Sequence, residues 1–270
     1  MRLVDFSQHG GALAPETVNC WRSQGIAAAI VQYSERMKQH LDVLEAKAMR
    51  AEGYVYLYWD RSPWNQTPQD RTRAALAMAN GRISRLWLDA EDTSHPYDEQ
   101  QLLECVALCH LAGMETGIYT GRWWWEPRTG NSQTFAHLPL WHAEYVTPSP
   151  NADLAMSPDF SKFKPYGGWT QPTIWQYQGT STLCGHSVDM NYTADLIGGG
   201  DELTPEEEIE LEHSRLLHRL MREINYPHNG QGDGRYILKS RQDSGTDLLV
   251  EFVNADGSSL ENAPQIWVRK

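Results

Sequence analysis

The sequence predicts an α/β protein: a parallel sheet, either an irregular (β/α) barrel or an open doubly wound layer, followed by a small α+β module. Three observations predict it. Apolar strand-like runs alternate with helical stretches through the first 120 residues, the pattern of parallel strands joined by crossover helices. After about residue 121 strand-like runs continue with no clear amphipathic helix between them. A glycine run and a new helix-capping signal then set off the last 70 residues.

The elements follow in order. Strand candidates are residues 2–8, 26–33, 54–59, 85–90 and 116–120, with helical patterns at 15–24, 37–52, 68–80 and 97–112. Thr67-Pro68-Gln69-Asp70 supplies an N-cap, a proline at the first helical position and an acid in the first turn. Residues 138–145, 172–178 and 187–193 read as strands separated by loops rich in Pro, Gly and Trp. A barrel that begins as β/α repeats and closes with bare strands fits this order. Ile197-Gly198-Gly199-Gly200 is the hinge, and Thr204-Pro205-Glu206-Glu207 caps a helix running to about Ile224. Strand candidates at 235–239, 247–253 and 265–269 follow, with turn signals Asp233-Gly234 and Asp256-Gly257. The chain is therefore divided into a barrel domain, 1–197, and a module, 201–270.

Composition narrows the function. The 270 residues suffice for one barrel with a small appendage, and 40% hydrophobic with 21% charged residues is ordinary for a folded chain. The net charge of −12 divides equally between residues 1–200 and 201–270. Neither part is basic, so neither nucleic acid nor adhesion to an anionic wall by charge is expected. Eleven Trp and 12 Tyr stand beside only 5 Phe. Flat apolar faces with polar edges suit a groove for sugar rings. Cys20, Cys105, Cys109 and Cys184 are too few for a disulfide scaffold, and a single close pair does not make a zinc site. Four free buried thiols and no zinc site are expected. No apolar run is long enough to span a membrane. Met1 leads straight into a strand-like run without a leader pattern, so the chain is expected to be made in a cytoplasm; action on a cell wall would then need delivery by other means, or a leader already removed.

The chemistry centres on Arg85-Leu86-Trp87-Leu88-Asp89-Ala90-Glu91-Asp92. An apolar strand ends in Asp-x-Glu, and residues two apart on a strand share a face. At the C-terminal mouth of a barrel both carboxylates enter one cleft. Glycoside hydrolysis needs one carboxyl that holds a proton and another acid that stabilises a growing positive charge. Asp5 and Asp189 lie inside apolar strands, where burying an acid is costly unless a site uses it. The first and last strands of a closed barrel are neighbours, so these two acids should meet.

With these acids in view, the chain resembles the family 25 glycoside hydrolases, the Chalaropsis-type lysozymes of phages, bacteria and fungi, across residues 2–196. The resemblance rests on Val4-Asp5-Phe6-Ser7 with Gly10-Gly11, on Leu88-Asp89-Ala90-Glu91, and on Gly117-Ile118-Tyr119-Thr120. It continues through Leu140-Trp141-His142-Ala143-Glu144-Tyr145, Ile174-Trp175-Gln176-Tyr177, Gly185 and Val188-Asp189-Met190-Asn191. It implies an irregular TIM-like (β/α) barrel that hydrolyses the β-1,4 bond between N-acetylmuramic acid and N-acetylglucosamine in peptidoglycan, with retention and without a cofactor. By position Glu91 matches the general acid. Asp89 matches the group that assists the N-acetyl substituent or the developing cation, and Asp5 and Asp189 match the further acids of the cleft.

Trp141, Ala143 and Tyr145 alternate on one strand and would form a shelf for a sugar; Tyr58, Tyr119, Trp175 and Tyr177 are further binding candidates. Trp123-Trp124-Trp125 reads as a loop at the cleft rim. His9, Asp60 and Glu144 depart from the family pattern, which bears on substrate preference rather than on the chemistry. The leading expectation is an active muramidase of the phage endolysin or virion-associated type. The competing readings are a non-catalytic peptidoglycan-binding barrel and a phage structural protein. Residues 201–270 are expected to serve targeting or assembly through a protein partner or self-association, the alternative being a module that packs on the barrel and stabilises it.

Overall fold

The computed structural model describes residues 1–61, 63, 65–146 and 150–194, and beyond them three strands within 236–269. The chain divides into two compact units, Met1–Arg219 and Leu220–Lys270. The first contains a closed eight-stranded barrel whose strands follow one another in sequence order. Its elements are β1 (Arg2–Phe6), α1 (Pro15–Ser23), β2 (Ile26–Gln32), α2 (Met37–Ala46), β3 (Arg50–Tyr56), α3 (Pro68–Ala79) and β4 (Arg85–Asp89). They continue with α4 (Glu99–Leu111), β5 (Glu115–Thr120), α5 (Arg122–Thr129), β6 (Leu140–Ala143), β7 (Ile174–Leu183) and β8 (His186–Tyr192).

Strands β1 to β7 are parallel, neighbour to neighbour. β8 is antiparallel to both β7 and β1. The reason lies in the turn: Cys184 and Gly185, both at positive φ (55° and 78°), are all that separates β7 from β8. Two left-handed residues make a hairpin, whereas a parallel return needs a crossover of about a dozen residues. The pairing of β8 with β1 closes the barrel and rules out the open doubly wound sheet.

Side chains alternate between two cores. Val4, Phe6, Leu86, Leu88, Ile118, Leu140, Val188 and Met190 face the helices. Leu3, Ala28, Ile30, Tyr54, Trp87, Tyr119, Trp141 and Ile174 fill the barrel interior. There the rings of Tyr54, Trp87 and Tyr119 stand 4.5–5.8 Å from that of Trp141. Gly117 makes room for this pile, since a Cβ there would lie 2.4 Å from the Trp87 ring. Below it Trp87 Nε1 donates to the buried Glu52 carboxylate at 2.5 Å. The interior is thus packed, and chemistry is confined to the mouth.

Local signals explain most boundaries. Thr67 and Asp70 form the reciprocal capping box that starts α3, and Asn80 in the left-handed conformation ends it. Two expectations need correction. The helix expected over 37–52 stops at Ala46: Ala48 turns left-handed, and β3 begins at Arg50 to pair with β2 from Ala28. Strand pairing there overrides a locally helix-favouring sequence. The segment after residue 121 does contain a helix, α5, despite its Pro127. It carries all three of the tryptophans that read as a loop, with Trp124 and Trp125 buried.

The cysteines also depart from expectation. Cys20 on α1 and Cys184 in the β7–β8 turn form a disulfide, with Cα atoms 6.1 Å apart. Only barrel closure brings residues 164 apart in sequence together. Cys105 and Cys109 are free and buried, as expected. In the second unit β9 (Tyr236–Gln242), β10 (Asp247–Asn254) and β11 (Ile266–Arg269) form an antiparallel sheet with β10 central. These strands coincide with the expected ones; the hinge at 197–200 and the helix at 204–224 lie outside the described residues.

Burial pushes the Cys105 and Cys109 thiols up to about 12, so the native protein should resist alkylation at neutral pH. Denaturation without reductant should expose two alkylatable thiols by mass, and with reductant four. Cys184→Ser should lower unfolding free energy by about 2–5 kcal/mol. Four labelled thiols without reductant would contradict the disulfide.

Candidate active site

Period-two alternation places Asp5 on the same face of β1 as the interior residue Leu3, and Asp89 on the same face of β4 as Trp87. Asp5 stands directly opposite Asp189 across the antiparallel β1–β8 pair. Asp89 is in register with Tyr56 on β3 and Tyr119 on β5. The four expected acids gather at one mouth: Asp5 and Asp89 are buried, Asp189 and Glu91 partly so.

Two amides organise the acids. Asp5 Oδ2 accepts hydrogen bonds from Gln176 Nε2 and Asn191 Nδ2, both at 2.8 Å. Gln176 Nε2 also reaches Asp189 Oδ2 at 3.4 Å, while its Oε1 accepts the Tyr119 hydroxyl proton at 2.8 Å. Asn191 Oδ1 accepts from Trp141 Nε1 at 2.7 Å. The phenol and indole donors fix which end of each amide faces the carboxylates. Asp189 Oδ1 accepts the Thr180 backbone N–H at 2.6 Å.

Glu91 follows β4 and reaches the end of β5. Its Oε1 accepts the Gly121 N–H at 2.6 Å, while its own N–H donates to Asp89 Oδ1 at 3.1 Å. Gly121 is required: a Cβ would lie 2.4 Å from Trp123 Nε1 and 2.8 Å from the Ala143 carbonyl. Burial pushes the Glu91 carboxyl up to about 7 against the lowering effect of the Gly121 N–H. Burial, then the charge of Glu91, raises Asp89; burial, then Asp189, raises Asp5. Burial raises Asp189 too, opposed by the Thr180 N–H. The mouth therefore offers a carboxyl poised to hold or release a proton near neutrality among acids held by fixed donors.

Asp92 has a different task. It is fully buried, accepting from Trp59 N–H at 3.1 Å and Ser94 N–H at 2.8 Å, and pairing with His95 at 2.8 Å. Those contacts pin the loop that carries Glu91.

The aromatic candidates separate by exposure. Tyr145 is 60% exposed beside the cleft. Tyr58 is half-buried, its ring 5.2 Å from the Arg71 guanidinium. Trp141, 1% exposed, lies inside the barrel and offers no face to a sugar; it belongs to the shelf's foundation rather than its surface. Tyr119 is likewise buried and acts on the site through Gln176. Trp175 and Tyr177 point out of the barrel: Trp175 packs on His142 and Phe163, and the Tyr177 hydroxyl donates to the Asp153 carbonyl. These positions correct the sequence expectation, because alternation on β7 turns Gln176, and not its aromatic neighbours, inward. His9 and Asp60 are exposed, and Glu144 lines the cleft. Gln176 and Asn191 were not assigned a site role from sequence, whereas Trp123, read as part of a rim loop, does line the cleft, from a helix. Period two would have found the first two, since Asn191 shares a face with Asp189.

Residues 3–177 match the family model described as Lysozyme-like protein 1. The chain belongs to this family. It is 29% identical to the probable GH family 25 lysozyme 2 of Dictyostelium discoideum over 202 residues, 70% of this chain and 89% of that protein. It is 29% identical to Lysozyme-like protein 5 of Caenorhabditis elegans over 195 residues, 67% of this chain and 86% of that protein. The barrel is similar to that of the modular autolysin LytC of Streptococcus pneumoniae, at a TM-score of 0.53 and 14% identity, covering 70% of this chain. It spans about half of that autolysin, 46% of its chain. LytC in complex with a synthetic peptidoglycan ligand aligns with the same TM-score, at 13% identity. With the family established, this protein is a family 25-type glycoside hydrolase of the lysozyme class.

For this lysozyme-type hydrolase, Gln176→Leu removes a donor that lowers Asp5. Asp5 should then hold its proton to higher pH, and the acidic limb of the kcat/KM profile should move upward with the fold intact by circular dichroism. An unchanged profile would show that the amide bridge does not set the charge of the acids.

Proposed function

We propose that the protein is a muramidase that hydrolyses the β-1,4 bond between N-acetylmuramic acid and N-acetylglucosamine of peptidoglycan, with Glu91 as general acid. One observation carries the reading: a carboxyl pushed up to about 7 lies on the cleft wall two residues from Asp89, in a barrel whose first and last strands pair Asp5 with Asp189. A carboxyl of that kind is part-protonated at neutral pH and can donate. The relatives named as lysozymes and the LytC complex with a peptidoglycan ligand support the substrate class.

In the proposed reaction Glu91 gives its proton to the glycosidic oxygen as the C1–O bond breaks. Asp89 faces the positive charge growing at C1, or the N-acetyl oxygen that moves toward it, and Asp5 and Asp189 add negative potential from below. Water then adds to C1 and returns a proton to Glu91, so the net change is one water per bond. Tyr145 and Tyr58 are the proposed aromatic contacts to sugar among the expected residues. The disulfide supports action outside a reducing cytosol, as for a lysin delivered to the wall, of which a phage endolysin or virion-associated lysin is one form.

Glu91→Gln should lower turnover about a hundredfold or more while the protein stays folded. Asp89→Asn and Asp189→Asn should lower kcat more than sugar affinity. In wild type, activity should fall as pH rises through about 7, as Glu91 loses its proton. Because the folded state holds that proton more tightly than the unfolded chain, Glu91's contribution to stability is full below about pH 4.5 and lost toward pH 7 and above. The Gln variant should therefore gain in melting temperature over wild type between pH 4 and pH 8. Near-full turnover in a folded Gln variant would remove Glu91 from the role.

The module at 201–270 is proposed to serve targeting or assembly. All four acids precede residue 190, β8 closes the barrel by Tyr192, and β9–β11 form a sheet of their own in the order β11-β10-β9. A chain ending at Gly199 should still cleave soluble peptidoglycan fragments while its mass in solution or its activity on whole cells changes. An unfolded product would show that the module stabilises the barrel instead.

A further inference from the structure

A cavity of about 690 Å³ opens beside Glu91, between α5 and the end of β6. Resting on the muramidase reading, we propose that it holds the leaving-group side of the glycan: the sugar whose O4 departs and the next sugar, which carries a carboxyl-bearing substituent. Trp123 is the stacking platform and Lys164 meets the carboxylate.

The direction of the glycan follows from which acids line the cavity. Glu91 does; Asp5, Asp89 and Asp189 do not. A general acid contacts the oxygen that leaves, whereas the charge-stabilising acids face the ring that becomes cationic. A cavity that begins at the acid and excludes the other three therefore receives the departing sugar. Its volume falls in the range of about 300–1,000 Å³ typical of small-ligand sites, room for two pyranose rings.

Trp123 gives the cavity its chemistry. Helix α5 buries Trp124 and Trp125 in the core, yet leaves Trp123 61% exposed on the cavity wall. Most of that indole lies outside the core. It is nonetheless held in place, because Gly121 lets its edge lie against the backbone that donates to Glu91. Tyr145, also exposed, stands on the cavity lining with its ring packed over Gly179. Two exposed rings beside an acid offer apolar faces to sugars without reordering.

The charges set the second sugar. Arg122 is engaged by Glu126 at 2.9 Å, and both line the cavity. Lys164 lines it too, is exposed, and makes no ion pair within 4.0 Å among the described residues. In a chain of net charge −12, a cation at the edge of an acid-lined cleft favours a carboxylate on the ligand, such as the lactyl or peptide-stem carboxyl of a muramic residue.

The test compares two substrates that share the sugars on the cationic side. One is a soluble peptidoglycan tetrasaccharide with free stem carboxylates; the other is the 4-methylumbelliferyl glycoside of the corresponding disaccharide, whose leaving group is not a sugar. Trp123→Ala should lower kcat/KM on the tetrasaccharide about tenfold more than on the aryl glycoside, with partial rescue by Trp123→Phe. Lys164→Glu should act mainly on the tetrasaccharide, and less once its carboxylates are amidated. Equal losses on both substrates, or none on either, would overturn the assignment while leaving the muramidase reading intact. Wild-type protein that cleaves neither would defeat that reading, and the assignment with it.

Discussion

The antiparallel pairing of β8 with β1 is the constraint on which the rest of this structure depends. It closes the barrel, and its register sets Asp5 opposite Asp189. Asn191, two residues beyond Asp189 on the same face, lies opposite Leu3 and reaches Asp5. The hairpin that turns β8 around also carries Cys184, which ties it to α1. One two-residue turn thus fixes topology, acid pairing and cross-link together. A helical connection at that point would have delivered a parallel last strand and a different register.

The site stands against the folding free energy rather than with it. Four carboxyls share one barrel mouth, and burial raises every one of them. The chain lowers the cost with donors that cannot easily leave: two amides oriented by an indole and a phenol, and the backbone N–H groups of Gly121 and Thr180. Buried acids are tolerable when donors of this kind are fixed before the substrate arrives. Glu91 accepts one backbone donor, and burial outweighs it, so its carboxyl is pushed up to about 7 and can exchange a proton near neutrality. The aromatic pile of Tyr54, Trp87, Tyr119 and Trp141 has the complementary task of holding the donors rigid. Tryptophans that read as sugar-binding from composition are in large part this scaffold.

The Asp-x-Glu ending of β4, the inward Asp5 and the late Asp189 were legible because each is a local departure from an apolar strand pattern, and such departures are costly without a use. Their meeting was legible because closure makes first and last strands neighbours. The β/α order and the capping box at Thr67 were readable for the same reason, since period and capping act over a few residues. Local readings failed at 47–52, where helix-favouring residues belong to a strand; at 122–129, where a proline and three tryptophans hid a helix; and at Trp141, Trp175 and Tyr177, where composition suggested a surface that alternation denies.

By itself, then, the sequence determined the alternating elements, the four acids and the family, because short-range periodicity and motif spacing encode them. Tertiary structure alone decided the disulfide across 164 residues, the Gln176 and Asn191 bridges, and which aromatic rings face the cleft. Each of those depends on the register and closure of strands far apart in the chain. Register turns a one-residue step into the difference between barrel interior and helix-facing core, and no local window contains it.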